Sequence, residues 1–249
     1  MRKTTACSGL RVLEWGAGLS TLSFSAILSE EGIPFHWLAL EYDRGFCDSS
    51  IAPALLSRPG GMLRYVEDDR TVSGPPGTGT GKTEVVCWNR AALRPFLGEE
   101  HLADRSADLD AYVDYPGSAG SEFDVVLVDG RKRRRCLLTA LDLAGEHTAV
   151  LLHDSSRAYY HPAMREYPAS RFIGDELWIG AASETTLAMA LAGQEGRARS
   201  RRLTRFALVV VGRQAGGHRT APVPADLGRL AAQAVADRSR DHGPAAWHP

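Results

Sequence analysis

Apolar residues in this chain gather into short, nearly unbroken runs, each closed by polar residues or a glycine turn. Val12-Leu13 leads into Glu14 and then Gly16-Ala17-Gly18, while Phe35–Leu40 ends in Glu41-Tyr42-Asp43. Phe123–Val128 ends in Asp129-Gly130, and Ala149–Leu152 ends in His153-Asp154. Such runs are what a strand buried on both faces of a parallel sheet looks like. Met62–Val66 and Glu84–Trp88 are further strand candidates, and Glu176–Gly180 with Phe206–Val211 reads as the closing pair. Helical spacing lies between them. Leu22, Phe24, Ile27 and Leu28 follow the glycine turn, Cys47 to Arg58 is closed by Pro59-Gly60-Gly61, and Thr185–Ala192 precedes the last strand. Strands alternating with helices predict an α/β fold, a mostly parallel Rossmann-like sheet with helices on both faces.

Beyond Gly212 the chain turns rich in Ala, Pro, Gly and Arg. Residues 1–213 therefore read as one domain and 214–249 as a C-terminal tail, with Ala225–Arg238 as a short helix. At 249 residues, with 44% apolar and 24% charged residues and a net charge of -1, the chain has the composition of a globular protein. No global field calls for nucleic acid or an anionic membrane, and no apolar run reaches membrane-spanning length. The start, MRKTTACSGL, has a basic tip without an apolar core behind it, unlike a signal peptide. Cys7, Cys47, Cys87 and Cys136 stand far apart, which predicts reduced structural cysteines and a cytoplasmic protein. A small-molecule substrate is the expected partner, with no nucleic acid and no membrane, and nothing stands against a homo-oligomer.

The glycine turn carries the first chemistry. A buried strand, a glycine turn and a helix N-terminus let a nucleotide-type cofactor approach the backbone. The dinucleotide fingerprint wants a third glycine, and Thr21 holds that place, which weakens an NAD or FAD reading. An acid at the strand tip beside a two-glycine turn suits a cofactor with an ammonium and a carboxylate but no phosphate. Here the sequence resembles the class I S-adenosylmethionine-dependent methyltransferases, whose first motif runs acid-x-Gly-x-Gly-x-Ser/Thr, matched by Glu14, Gly16, Gly18 and Ser20. The resemblance covers about Arg11 to Arg213 and is weak from Cys47 to Glu122. It implies a seven-stranded sheet whose last hairpin holds the one antiparallel strand, and S-adenosyl-L-methionine as cofactor, held by Glu14, Gly16, Ala17, Gly18 and Ser20. Glu41, about 20 residues past the turn, is expected at the ribose hydroxyls with Tyr42 beside it and Asp43 as the alternative. Asp129 is expected next to the methyl donor. Resembling enzymes carry helices before the first strand, whereas this chain has about ten residues there. The substrate cover therefore comes from elsewhere in the chain or from a segment preceding it.

Glu14, Glu41, Asp129 and His153-Asp154 all fall at strand ends, where ligands of open α/β sheets bind. His153, Asp154 and Asp129 are the catalytic candidates. His153, with an ordinary pKa near 6.5, is the expected base, with Asp129 across from it on the neighbouring strand. Strand alternation predicts that His153 and Asp154 point to opposite sides of the tip. Asp129 and Asp154 are alternative bases or oxygen ligands for a divalent ion, though no metal is the primary expectation. The run Arg131-Lys132-Arg133-Arg134-Arg135 stands either as a solvated helix face or, with Arg131 and Arg133, as the mouth for an acidic substrate. Tyr159 and Tyr160 are expected to shape the substrate pocket or to face a sulfonium. A second basic cluster, Arg197–Arg205, reads as a surface loop.

Three other functions remain open at this point: a phosphate-loop NTPase, an NAD-dependent oxidoreductase and a non-catalytic cofactor-binding protein. The NTPase would use Gly81-Lys82-Thr83 and Asp129. Its loop fails on spacing, because six residues separate Gly74 from Gly81 where four are needed. Charged residues precede that loop, and Val85, Val86 and Trp88 after it favour a strand rather than a helix.

Overall fold

The computed structural model describes residues 9–67, 81–90, 106–118, 122–173 and 175–192. The first half runs through β1 (Leu10–Trp15), α1 (Leu19–Glu30), β2 (Phe35–Asp43), α2 (Arg44–Phe46), a π-helical turn (Cys47–Ile51), α3 (Ala52–Leu56), β3 (Gly61–Val66) and β4 (Lys82–Arg90). The second half holds α4 (Asp110–Ser118), β5 (Val125–Val128), α5 (Arg133–Leu143), β6 (Ala149–His153), a 3-10 turn (Ala158–Tyr160), α6 (His161–Met164), β7 (Ala169–Ile173), β8 (Leu177–Ala181) and α7 (Glu184–Ala192).

Among the described residues, eight strands form one sheet in the order β3-β4-β2-β1-β5-β6-β8-β7. All pair in parallel except β8, which runs against both β6 and β7. This is the expected Rossmann-like α/β sheet, with two differences. An eighth strand, β3, adds a parallel edge beside β4. The antiparallel hairpin is made by β7 with β8, so the partner of the 177–181 strand precedes it in the chain. The readings of Phe206–Val211, Ala225–Arg238, Arg197–Arg205, the 213 boundary, Cys7 and the loop at 73–80 lie outside the described residues.

Strand alternation explains why the apolar runs are continuous. Val12, Trp37, Ala39, Val85, Val125, Leu127 and Leu151 face one side, where they meet Leu22 and Leu28 of α1, Leu55 of α3 and Leu187 of α7. Leu13, Trp15, Leu38, Val86, Val126 and Leu152 face the other, against Tyr112 and Val113 of α4, Leu137 of α5 and Ala163 of α6. Both faces are covered, so both positions of the period-two repeat are mostly apolar, with Glu14, His36 and Glu84 as buried exceptions. Trp88 packs edge-on to Tyr112 and Tyr115, with ring centroids 5.6 and 5.3 Å apart. Cys47, Cys87 and Cys136 are free thiols buried in these layers. No described helix is long and apolar enough to cross a membrane.

Lys82 and Thr83 open β4 and lie in register with His36 and Trp37 of β2. A phosphate loop must run into a helix, and here the lysine begins a strand, as the strand-favouring residues Val85, Val86 and Trp88 predicted. Strand order reverses direction between β1 and β5. The crevice outside their carboxyl ends is the switch point at which open α/β sheets bind ligands.

Candidate active site

The turn after β1 rests on a buried carboxylate. Glu14 is fully buried; its Oε2 accepts from Thr21 Oγ1 at 2.6 Å and Trp37 Nε1 at 2.8 Å, and its Oε1 accepts from Ser20 Oγ. Burial pushes the Glu14 carboxyl up to about 7, against the pull of those three donors. Thr21 Oγ1 also accepts from Gly18 N at 2.9 Å, so the residue in the third-glycine place ties the turn to the acid below it. The N–H groups of Gly16 and Ala17 both donate to Leu40 O, at 2.8 and 3.3 Å. Five expected cofactor contacts thus divide. Glu14, Ser20 and Ala17 brace the turn from inside, and Gly16 and Gly18 shape its surface.

The two glycines do different work. Gly16 has φ +93, and a Cβ there would lie 2.5 Å from the Gly130 backbone, so this glycine is required for packing β1 against the β5 turn. A side chain at Gly16 would therefore disturb the fold itself. A Cβ on Gly18 meets nothing within 4 Å, so this residue borders open space.

At the tip of β2, Glu41 is buried and its Oε1 accepts from the backbone N–H of Tyr42 at 2.9 Å and of Asp43 at 3.0 Å. Asp43 caps the following helical stretch, accepting from Phe46 N at 2.9 Å. Tyr42 is partly buried and lies edge-on to Tyr112 at 6.3 Å, and its hydroxyl receives a long contact of 3.5 Å from Arg131 Nε. Burial raises the Tyr42 phenol.

The tips of β5 and β6 carry the densest polar cluster. His153 Nδ1 lies 3.0 Å from Asp129 Oδ1 and 3.5 Å from Asp154 Oδ1. Both acids reach the same imidazole nitrogen, contrary to the alternation expected of them. The reason is local: β6 ends at His153, and Asp154 takes φ +55, which swings its side chain back toward the histidine. The Asp129 hydrogen bond raises the His153 pKa, outweighing the opposite effect of burial. With the Nδ1 proton donated to Asp129, Nε2 is left as the basic nitrogen, and the nearest carboxylate to it is Glu176 Oε2 at 3.9 Å.

Arg133 sits in the middle of this cluster and is only 11% exposed. Its Nη1 donates to His153 O at 2.8 Å and to Asp154 Oδ2 at 2.9 Å. Its Nη2 donates to Asp129 O at 2.8 Å and Asp129 Oδ1 at 3.0 Å, and its Nε donates to Gly130 O at 2.9 Å. This planar fork clamps the two strand tips together. Every nitrogen of the guanidinium is engaged internally, at the strand tips rather than at the surface where a substrate contact was expected. The same contacts resolve the oddity of a cation in the first turn of α5, since carbonyls and carboxylates there outweigh the helix dipole. Arg157 Nη2 adds a second cation to Asp154 Oδ2 at 3.0 Å. Burial works to raise the Asp154 carboxyl, but the two arginines and His153 together hold it below its usual value.

Asp129, His153 and Asp154 each offer a ligand atom within 4.8 Å of one another, a spacing that could hold a metal ion. The guanidinium of Arg133 already lies on both carboxylates. A divalent cation there would meet a permanent positive charge among its ligands, so the donor set does not favour one.

Arg135 pairs with Asp110 and, at 3.4 Å, with Asp114, joining α5 to α4. Arg134 lies over the Tyr159 ring at 4.9 Å, and Arg133 lies 5.7 Å from the Tyr160 ring centre. Tyr160 is buried, so of the two expected pocket tyrosines only Tyr159 is partly accessible. Three contributors were not among the sequence candidates. Arg157 could have been found as a cation three residues beyond Asp154; Tyr112 and Glu176 carry no local signal.

No family model matches the chain, and no curated protein matches it. Among solved structures, the chain is similar to a methyltransferase-like protein from Silicibacter pomeroyi, with a TM-score of 0.41, 21% identity, and coverage of 80% of this chain and 87% of that one. So loose a likeness transfers no role to any residue.

Proposed function

We propose that this chain transfers a methyl group from S-adenosyl-L-methionine to an oxygen, nitrogen or carbon nucleophile of a small molecule in the cytoplasm. The observation that carries the reading is the His153–Asp129 pair standing at the β1/β5 switch point, joined to the Gly16–Gly18 turn through Gly130. Gly18 borders open space, which leaves the backbone of the turn approachable by a cofactor. Gly18, with Glu41 and Tyr42 at the tip of β2 and Asp129 at the tip of β5, would hold it.

When bound, the cofactor supplies an activated methyl group on a sulfonium. The residues of this chain then have two tasks. Positioning acceptor and donor in line can contribute about 7–11 kcal/mol through effective molarity. His153 Nε2 removes the acceptor's proton where one must leave, while Asp129 holds Nδ1 and stabilises the imidazolium that forms. Arg133 helps hold the Asp154 carboxyl below its usual value and fixes the imidazole between the two strand tips.

Calorimetry with S-adenosylmethionine, S-adenosylhomocysteine, NAD and ATP side by side tests the cofactor. The first two bind, the last two do not, and Gly18→Val abolishes binding while the folded signal by circular dichroism is kept. Binding of NAD or ATP with no response to S-adenosylmethionine overturns the reading. Dialysis against a chelator leaves activity intact; loss that magnesium restores would replace the histidine base with a metal.

A further inference from the structure

Glu14 receives three hydrogen bonds, all from neutral groups. Ser20 Oγ donates to Oε1, while Thr21 Oγ1 and Trp37 Nε1 both donate to Oε2. The charged group that acts on this carboxyl is a second acid, Asp129 at the tip of β5. A carboxylate buried among neutral donors beside another acid gives up its charge near neutral pH, and burial pushes this one up to about 7. Where the proton goes follows from the donors. Oε2 holds an indole N–H, which can only donate. Oε1 holds a single hydroxyl, which can donate or accept.

The proton therefore enters at Oε1, and the contact with Ser20 survives with its direction reversed: Oε1–H donates and Ser20 Oγ accepts. The Ser20 hydrogen must then turn away from Glu14. Ser20 is partly buried in the first turn of α1, two residues beyond Gly18, which borders open space. Thr21 is wholly buried and accepts from Gly18 N at 2.9 Å, so its hydroxyl hydrogen stays on Oε2. Of the three donors, Ser20 is thus the one that carries the state of the sealed acid to the surface of the turn.

We infer that Glu14 is a proton-operated selector for the ligand of this turn. Ionised, it draws the Ser20 hydrogen inward and leaves the hydroxyl oxygen as an acceptor, which suits an ammonium. Protonated, it turns Ser20 into a donor, which suits an anion. A ligand bearing an ammonium here binds more tightly as Glu14 ionises, and its arrival drives the proton into solvent. That ligand rests on the proposed methyl transfer, whose cofactor carries an ammonium; the reversal at Ser20 does not.

The test follows the five tryptophan indole N–H signals of the full chain by NMR from pH 5.5 to 8.5, with Trp37 assigned by Trp37→Phe. Trp37 donates to Glu14 Oε2, so its signal shifts in one step near pH 7 and stays flat in Glu14→Gln. Ser20→Ala removes a donor from the ionised acid and raises the midpoint by about one pH unit. A signal that does not titrate in the wild type, or a midpoint unmoved in Ser20→Ala, overturns the inference, whether or not Glu14→Gln folds. Calorimetry with S-adenosylmethionine then tests the ligand. Affinity rises about fivefold from pH 6 to pH 8 in the wild type, as expected when binding lowers the carboxyl by about one pH unit, and Glu14→Gln loses that rise. An equal rise in both proteins belongs to the ligand's own amine and overturns the selector. Absence of S-adenosylmethionine binding at every pH, with the Trp37 step intact, refutes the methyl-transfer reading and not the reversal at Ser20.

Discussion

Two clusters in this sheet each combine a histidine, an acid and an arginine, and they are built for opposite purposes. His153, Asp129, Asp154 and Arg133 stand at the carboxyl ends of β5 and β6, with the histidine and its acids a quarter to a third exposed and both acids within 3.5 Å of Nδ1. His36 and Glu84 lie in the amino-terminal halves of β2 and β4 and Arg64 just past the middle of β3, with His36 and Glu84 almost wholly buried. Arg64 Nη1 donates to Glu84 Oε1 at 2.6 Å, but His36 Nε2 and Glu84 Oε2 stand 3.7 Å apart and both lack a hydrogen-bond partner among the described residues. Burial pushes the Glu84 carboxyl up, while His36 and Arg64 together hold it below its usual value. The first cluster leaves an imidazole nitrogen facing outward. The second is sealed and couples three neighbouring strands. Residue types alone do not make a site; position along the strand and access decide it.

The sharpest way to break this contrast is to remove each histidine or acid in turn. His153→Ala is expected to lower kcat about 10²–10⁴-fold, with stability in urea changed by less than about 1 kcal/mol. The acidic limb of the wild-type rate profile, set above 6.5 by the Asp129 hydrogen bond, should vanish with it. A variant with unchanged kcat would leave the outward cluster without catalytic meaning.

Glu84→Ala should behave in reverse, costing about 3–5 kcal/mol of stability by leaving Arg64 and His36 without their acid, while S-adenosylmethionine affinity of the remaining folded protein is kept. A mild loss in a denaturation curve would show that water reaches the second cluster after all.

Glu14 sharpens the comparison from beneath the glycine turn. Its folded pKa, about 7, is raised above the ordinary 4.5, so its contribution is fully present below pH 4.5 and is lost as pH rises through 7. Relative to the wild type, Glu14→Gln should gain about 3 kcal/mol between pH 4.5 and pH 8, measured as the difference of two urea curves. A difference independent of pH would mean that the carboxylate is ionised throughout.

The smallest effect is expected at the clamp. Arg133→Gln should cost about 2 kcal/mol, less than a fully buried pair because Asp129 and Asp154 retain some solvent. Arg133 holds the His153 pKa down, so its loss should move the acidic limb to higher pH. A limb that stays in place would show that the arginine serves packing alone.

Much of the architecture could be read along the chain because parallel strands covered on both faces leave long apolar runs. The ends of β1, β2, β5 and β6 were legible for the same reason, since a polar residue after such a run marks where the strand leaves the core. Strand β7 was not legible. In Ala169-Ser170-Arg171-Phe172-Ile173 only the first residue is buried, so an edge strand carries no apolar run to recognise. Lys82 and Thr83 resembled phosphate-loop residues locally and proved to be the start of a strand, because pairing with β2 is a contact across 46 residues of chain.

By itself the sequence determined which segments would be buried, where the glycine turn falls, and which ionisable groups end up at strand tips. These follow from local periodicity, which the chain carries residue by residue. Only the tertiary structure decided what those groups do to one another. Arg133 is one cation among five in sequence, and folding alone turns it inward to hold Asp129, His153 and Asp154 while Arg134 lies on Tyr159. The positive φ of Asp154 brings both acids to one nitrogen, and the Gly130 backbone against Gly16 makes that glycine structural. Such facts depend on distances between segments far apart in the chain, and a one-dimensional pattern holds no record of them.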